Sequence, residues 1–378
     1  MRPQSLYNLN VNDCERARKV TPIGLRFEKT GVPVFLLYLE GLTAPKCYEF
    51  HSMEDIESEL YQNRNHAQNT EAWRCVLSFF ESEGRWAHVV ALPLVAKGKG
   101  VIKEMIGEDR GITKRSGIYV LQSYFDCADI VVVPQASLLL DAHEHEAFYA
   151  KLLAMTESWE HFFVIVDFPS KSNTQRVIEL ASRLHSSLAA AYHPWLIKDD
   201  CLLPPGPMVA AAYQINDQAH NINDLPANRV LSTKLIPLIS LRPCELHDCL
   251  QARVNVVHRF ANQQLRIWGG RTLSASNEKN LKFISSSRTL LAVREAVHQI
   301  CEPYVFQPTS ADVTYEMKRE LAEFGQSVTR IFDPAAKLPF YADASVSAEG
   351  GQDMFIIDIR FSVPHSVDQL SFSLGLTG

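Results

Sequence analysis

The sequence predicts an α/β fold, α+β when the whole chain is counted. A central domain on a largely parallel sheet is joined by a mixed α+β domain completed by the C-terminal part, with extended strand arms at both ends. Two observations predict this. Short runs that are apolar throughout, such as Ile130-Val131-Val132-Val133 and Phe162-Phe163-Val164-Ile165-Val166, alternate with stretches of helical period. A strand without polar alternation is covered on both faces, which is what helical crossovers between parallel strands provide. Strict period-two alternation, by contrast, falls in the C-terminal part. There Phe355, Ile357, Ile359 and Phe361 alternate with Ile356, Asp358 and Arg360, and Leu370, Phe372, Leu374 and Leu376 alternate with Ser371, Ser373 and Gly375. Alternation so close to the C-terminus needs another sheet edge to pair with.

In chain order, residues through Val20 are polar, with Asn8, Asn10, Asn12 and Asp13 followed by Arg16, Arg18 and Lys19, and read as an arm. Residues 31–39 form an apolar run of strand length. Residues 52–60 read as a helix with Ser52 as N-cap and Met53, Ile56 and Leu60 on one face. A second amphipathic helix at 71–81 carries Trp73, Val76, Leu77 and Phe80, ends near Gly84 and feeds a strand at 86–92. Residues 117–124 look helical, 128–134 are a strand stopped by Pro134, 144–155 are helical and 162–167 are a strand. A helix at 173–190 then enters an extended segment. Pro204-Pro205-Gly206-Pro207 reads as a break, 221–228 as a polar loop, and 248–255 and 289–301 as helical. In the amphipathic helix at 311–325, Val313, Met317, Leu321 and Phe324 make one stripe, with Glu316, Lys318, Arg319, Glu320 and Glu323 around the rest.

The bulk properties exclude several classes. At 378 residues, 46% hydrophobic and 21% charged, the chain has the composition of a globular protein with room for two cores. A net charge of −6 argues against a nucleic-acid binder. No apolar run approaches a membrane span, and no apolar signal region follows Met1-Arg2-Pro3, so the expected location is the cytoplasm. Cys14, Cys47, Cys75, Cys127, Cys201, Cys244, Cys249 and Cys301 show neither a Cys-x-x-Cys pair nor zinc spacing, and read as small buried hydrophobes with reduced thiols.

Catalytic candidates are poor. In His143-Glu144-His145 the i,i+2 spacing turns the two rings away from each other on a helix, so the segment reads as a solvated helix start. Gly98-Lys99-Gly100 lacks the spacing that wraps phosphate, and Ser116 lacks the Gly-x-Ser-x-Gly elbow. Asp129 and Asp167 lie beside strands, where a carboxylate caps a neighbouring turn. No catalytic residue, cofactor or metal is expected, and the protein does not read as an enzyme.

Leu265-Arg266-Ile267-Trp268-Gly269-Gly270-Arg271-Thr272-Leu273 resembles the signature of contractile tail sheath proteins, a Trp-Gly-x-Arg-Thr-Leu stretch after a strand and before an Arg-containing helical stretch, here 283–290. Paired glycines permit positive φ or close backbone approach, Trp268 supplies a packing body, and Arg271 can fork its donors onto carbonyls or a carboxylate. Other segments match in order: 73–91, 107–118, the strand ending at Asp167 before Phe168-Pro169, Tyr192-His193-Pro194-Trp195, 203–217, and Pro226-Ala227-Asn228. Departures are Asn216 where threonine is frequent, Pro207 after Gly206, and Asn221-Ile222-Asn223 in place of Gly-Val-Trp.

The resemblance implies a structural subunit of a contractile sheath that polymerises around an inner tube and contracts to drive it through an envelope. It implies an arm at 1–22, a tube-facing core from 23–95 with 245–350, a central domain of subtilisin-like topology at 96–244, and a C-terminal arm at 351–378. The helix near 311–325 would touch the tube through Lys318 and Arg319. Phe355, Ile357, Ile359, Phe361, Leu370, Phe372, Leu374 and Leu376 would lend strands to neighbours. Implied partners are further copies of the chain, the inner tube protein, sheath paralogues, baseplate and tail terminator, in a particle that is assembled in the cytoplasm and released. Nucleic acid and membrane are not among them. A non-contractile tail, baseplate or tail-end protein sharing the core, or an α/β hydrolase-like enzyme, are the alternatives.

Overall fold

The computed structural model describes residues 30–360 apart from 112–113, 232–233, 261–263, 275–280, 306, 308–309, 333–340 and 350–351. Described residues 30–289 form one compact unit and 290–360 a second, the boundary falling in a helix at 284–301.

The first unit is built from β1 (Pro33–Leu39), β2 (Lys46–Phe50), α1 (Met53–Gln62), α2 (Ala67–Glu81), β3 (Ala87–Pro93), α3 (Val101–Ile106), β4 (Ile130–Val132), α4 (Pro134–Leu139), α5 (Ala142–Trp159), β5 (Phe163–Asp167), α6 (Thr174–Arg183), β6 (Ala189–His193), β7 (Leu196–Lys198), β8 (Cys201–Leu203), α7 (Gly206–Ala219), β9 (Ile236–Pro237), α8 (Pro243–Gln251), β10 (Val254–Arg259) and β11 (Leu265–Trp268). Eight strands make one sheet in the order β11-β10-β6-β5-β4-β1-β3-β2. The strands from β10 to β3 run parallel, and the antiparallel β11 and β2 close its two sides. Every residue of β1, β4, β5 and β6 is buried, as apolar runs without alternation require. Leu36, Val90, Val131, Phe148, Val164 and Ala191 belong to one continuous core cluster. β7, β8 and β9 form a separate three-stranded sheet.

The expected partition does not follow this sheet. β1 and β3, from 23–95, sit in the same ladder as β4, β5 and β6, from 96–244, because Val34–Phe35 pair with Val131–Val132 on one side and His88–Val89 on the other. Composition distinguishes buried from open strands but not which buried strands share a sheet.

Several element expectations hold. Ser52 caps α1, accepting from the Asp55 N–H, and α2 and β3 lie within a few residues of their expected spans. Others are corrected. Residues 117–124 are 3-10 rather than α-helical. α6 ends at Arg183 instead of running to 190, because residues 189–193 are claimed by pairing between β5 and β10. Pro205 and Pro207 do not break structure but begin α7, where a missing N–H costs no helical bond. α8 stops at Gln251, so that 254–259 is a strand. Cys75 and Cys249 are buried, but Cys47 and Cys244 are exposed, and among the described cysteines none forms a disulfide.

The second unit contains the later part of α9 (Ile284–Cys301), α10 (Ala311–Phe332), and an antiparallel pair, β12 (Tyr341–Glu349) with β13 (Gln352–Arg360). Of the stripe expected on α10, Met317, Leu321 and Phe324 are buried and Val313 is half-buried, and Val328 extends it past the expected end. Among the described residues no helix is long and apolar enough to cross a membrane.

Candidate functional site

The Trp-Gly-Gly-Arg stretch leaves β11 at a point where the chain must fold back over β10. Gly269 adopts φ +120, and a Cβ there would lie 2.7 Å from Asn255 Oδ1. A Cβ on Gly270 would lie 2.8 Å from Leu225. Gly269 is therefore required by its backbone angle and its close approach to Asn255, whereas Gly270 faces only the end of the Leu225 side chain, which can shift. The junction turns on Asn255, which is fully buried. Its Oδ1 accepts from the Arg271 N–H at 2.8 Å, and its Nδ2 donates to the carbonyls of Arg271 at 2.8 Å and Ala191 at 3.2 Å. Nothing near Asn255 in sequence announces this role, since its partners come from β6 and the turn.

Thr272 continues the junction, donating from Oγ1 to the Leu281 carbonyl at 2.8 Å, while the Leu273 N–H donates to Ala189 at 2.9 Å. Arg271 lies with its guanidinium 5.1 Å from the Phe283 ring centroid, within reach of a cation–π contact with that ring. Trp268 packs against a neighbouring ring while staying partly in solvent. It is 37% exposed, its ring 4.9 Å from that of Phe260.

The helix that follows carries Arg288, which is 1% exposed. It donates to Asp217 twice, at 3.0 Å and 2.6 Å, and to Asp129 at 3.1 Å, and its carbon sits 4.9 Å from the centre of the Tyr213 ring. Burial works against charge on both partners, yet Asp217 and Asp129 together hold the Arg288 guanidinium above its ordinary range. Burial raises the Asp217 carboxyl, and Arg288 opposes that rise. Asp129 also accepts from the backbone N–H groups of Gly31 and Val32 at 3.0 Å and 2.6 Å. One guanidinium thus fastens the start of β1, the end of α7 and the start of α9. A bidentate fork suits a fixed junction of this kind.

Asp167 caps a neighbouring turn as expected, accepting from the Gly206 N–H at 2.7 Å at the start of α7. Burial pushes its carboxyl up to about 8. His145 corrects the reading of a solvated helix start: its Nε2–H donates to the Asp167 carbonyl at 2.6 Å in the core, and burial lowers it to about 4. The solvated part is Asp141 with Glu144, a capping box on α5. Ser116 Oγ accepts from the Glu108 N–H. Among the described residues no group of three His, Cys, Asp or Glu could hold a metal.

Lys318 and Arg319 are exposed on α10, and Arg319 lies 4.0 Å from Glu323 one turn on. Phe355, Ile357 and Ile359 lie on β13, opposite Val346, Ala344 and Ala342 of β12, so these strand residues have a partner within the chain that the sequence did not reveal. Phe361, Leu370, Phe372, Leu374 and Leu376 lie outside the described residues.

No protein-family profile matches the chain, and no curated protein sequence matches it. Its fold is that of contractile sheath proteins. A chain in the six-fold symmetrised baseplate of the anti-feeding prophage aligns with a TM-score of 0.69 and 17% identity, over 92% of this chain and 94% of that one. The sheath complex of PVC, an extracellular contractile injection system, in its contracted state aligns with a TM-score of 0.64 and 14% identity, over 92% of both chains. The sheath tail protein of Desulfitobacterium hafniense aligns with a TM-score of 0.54 and 10% identity, over 88% and 96%. The likeness spans both compact units, and at these identities it is a likeness of fold.

Proposed function

We propose that this chain is a structural subunit of a contractile sheath, polymerising helically around an inner tube and contracting to drive that tube through a target envelope. The observation that carries the reading is the end-to-end shared fold with the contracted PVC sheath and the anti-feeding prophage chain. The chain then performs no chemistry of its own: work is stored at assembly and released as whole domains move against their neighbours. A two-stranded sheet such as β12–β13 has an outer edge on each strand, and strand addition at such an edge links subunits through backbone hydrogen bonds. Residues 366–378, with Leu370 to Leu376, supply the lent strand on this reading. Exposed Lys318 and Arg319 on α10 supply the contact to the tube.

Electron microscopy of the purified protein tests the reading: tubes with a helical repeat are expected, and a strictly monomeric protein at high concentration overturns it. Deleting 366–378 should leave a folded protein that makes no tubes. The baseplate match favours a second reading, a non-contractile structural protein near the end of the particle. Copy number separates the two, many per particle for a sheath and few for an end protein.

A further inference from the structure

The two sides of the eight-stranded sheet carry opposite charge. After β2 the chain enters α1, and residues 46–64 hold five acids (Glu49, Glu54, Asp55, Glu57, Glu59) against two cations, Lys46 and Arg64. Glu54 and Glu57 are exposed and share the outward face of α1 with Tyr61, at i, i+3 and i+7, and Tyr61 is 67% exposed. At the other side, residues 225–274 hold seven Lys and Arg (Arg229, Lys234, Arg242, Arg253, Arg259, Arg266, Arg271) against two acids, Glu245 and Asp248, of which Glu245 pairs with Arg242. There the outer edge of β11 is covered: the Leu231 N–H donates to Leu265, the Ile267 N–H to Arg229 and the Asn228 N–H to Ile267. Contact at this side is therefore made by side chains, not by strand addition.

Val230 lies directly opposite Arg266, so the two project from the same face, with Trp268 two residues further on. Val230 is 49% exposed and Trp268 37%. Arg266 donates to the side chains of Asn228 and Gln264, both neutral. Each side thus presents an apolar centre, Tyr61 or Val230 with Trp268, beside charge mainly of one sign, the composition of an interface core and its rim; on the acidic side one cation, Arg64, lies 3.9 Å from the centre of the Tyr61 ring. Seven inter-strand steps separate the sides by about 34 Å, several times the screening length of about 8 Å at physiological salt. Neither side neutralises the other within one molecule.

We infer that the acidic face of α1 on one copy of this chain docks on the Arg266–Trp268 side of the sheet of another copy. The occupant follows from charge complementarity: a surface acidic and aromatic at one end, cationic and aromatic at the other, matches itself head to tail. A head-to-tail contact is heterologous and propagates into rings or open helices. The inference rests on the self-assembly proposed above and assigns to it one specific contact.

The test uses two variants of the full chain, Glu54→Arg with Glu57→Arg, and Arg266→Glu with Lys234→Glu, followed by sedimentation and light scattering at low and moderate salt. Circular dichroism checks that each is folded. Each variant alone should associate about tenfold more weakly than wild type or worse, because like charges then face each other. An equimolar mixture should recover assembly, since reversed α1 of one variant meets the reversed sheet side of the other, and the untouched pair also matches. Recovery on mixing cannot come from two misfolded proteins. If wild type assembles and each variant alone assembles equally well, or if the folded variants stay apart on mixing, this contact is wrong while the sheath reading stands. If wild type does not associate under any condition, the sheath reading falls and takes this contact with it.

Discussion

The two compact units use charge in opposite ways. In the first, Arg288 and Asp217 are each about as buried as the aromatic core around them, and their attraction acts where little water screens it. In the second, Lys318 and Arg319 stand in solvent on α10, and the Arg319–Glu323 pair is 4.0 Å apart with both side chains more than half exposed. Removing a buried partner strands a charge, whereas removing an exposed one leaves a solvated partner behind. Charge therefore joins distant elements inside the first unit and lies at the solvent surface in the second.

Substitution at Arg288 puts this contrast under the greatest strain. Arg288→Met leaves Asp217 buried without its cation and should destabilise by about 3–5 kcal/mol, measured by urea unfolding. Combining Arg288→Met with Asp217→Leu should lose less than Arg288→Met alone, since the fully buried carboxylate is then gone and Asp129, partly exposed, keeps its backbone N–H donors. If both variants unfold at the wild-type midpoint, the cluster is not what joins β1, α7 and α9.

Asn255 comes next. Asn255→Ala removes one acceptor and two donor bonds at the glycine junction and should cost about 2–3 kcal/mol. Gly269→Ala should approach the same loss, because it combines positive φ with a clash against Asn255. The pair should be less than additive, as both act on one turn.

Asp167 makes a contribution that depends on pH. Burial raises its folded value to about 8, well above the range of an unfolded carboxylate. The folded state therefore holds its proton where the unfolded state has lost it. The sign makes this group's contribution fall as pH rises from about 4 to about 8. Asp167→Asn keeps an oxygen for the Gly206 N–H and should flatten the dependence of stability on pH across that window. An unchanged slope in thermal melts between pH 5 and 8 would show that Asp167 ionises freely in the fold.

The smallest effect on folding belongs to α10. Lys318→Glu with Arg319→Glu should change stability by no more than about 1 kcal/mol per site. On the sheath reading the same double variant fails to form extended sheath on tube, although tube-free cylinders can still appear. Assembly on tube at wild-type yield, at low and moderate salt, removes α10 as the attachment site.

Much of this was legible in the sequence where the signal is local. The stripe Met317, Leu321, Phe324 follows from a 3.6-residue period, and the buried strands from unbroken apolar runs. The Ser52 cap and the need for glycine at 269 follow from residue type. The parts misread are those where a local preference met a distant partner. The small apolar residues 189–191 suit a helix, but pairing with Val164–Val166 and with Val254 makes them a strand. The double proline at 204–205 suits a break, yet proline at the start of a helix forfeits no bond. β12 went unseen because Tyr341–Glu349 alternates weakly and takes its strand character from β13.

By itself the sequence determined the class of fold, the positions of most helices and buried strands, the sheath-like order of motifs, and the residues whose exposure makes them candidates for contact. Each of these depends on neighbours within a few residues, where spacing along the chain equals spacing in space. Only the tertiary structure decided which strands share the sheet and that Asn255 holds the Gly269 turn. It alone paired Arg288 with carboxylates 71 and 159 residues away. A hydrogen bond or ion pair needs its partners within about 3 Å, and no period or composition encodes which distant residue the folded chain will bring that close.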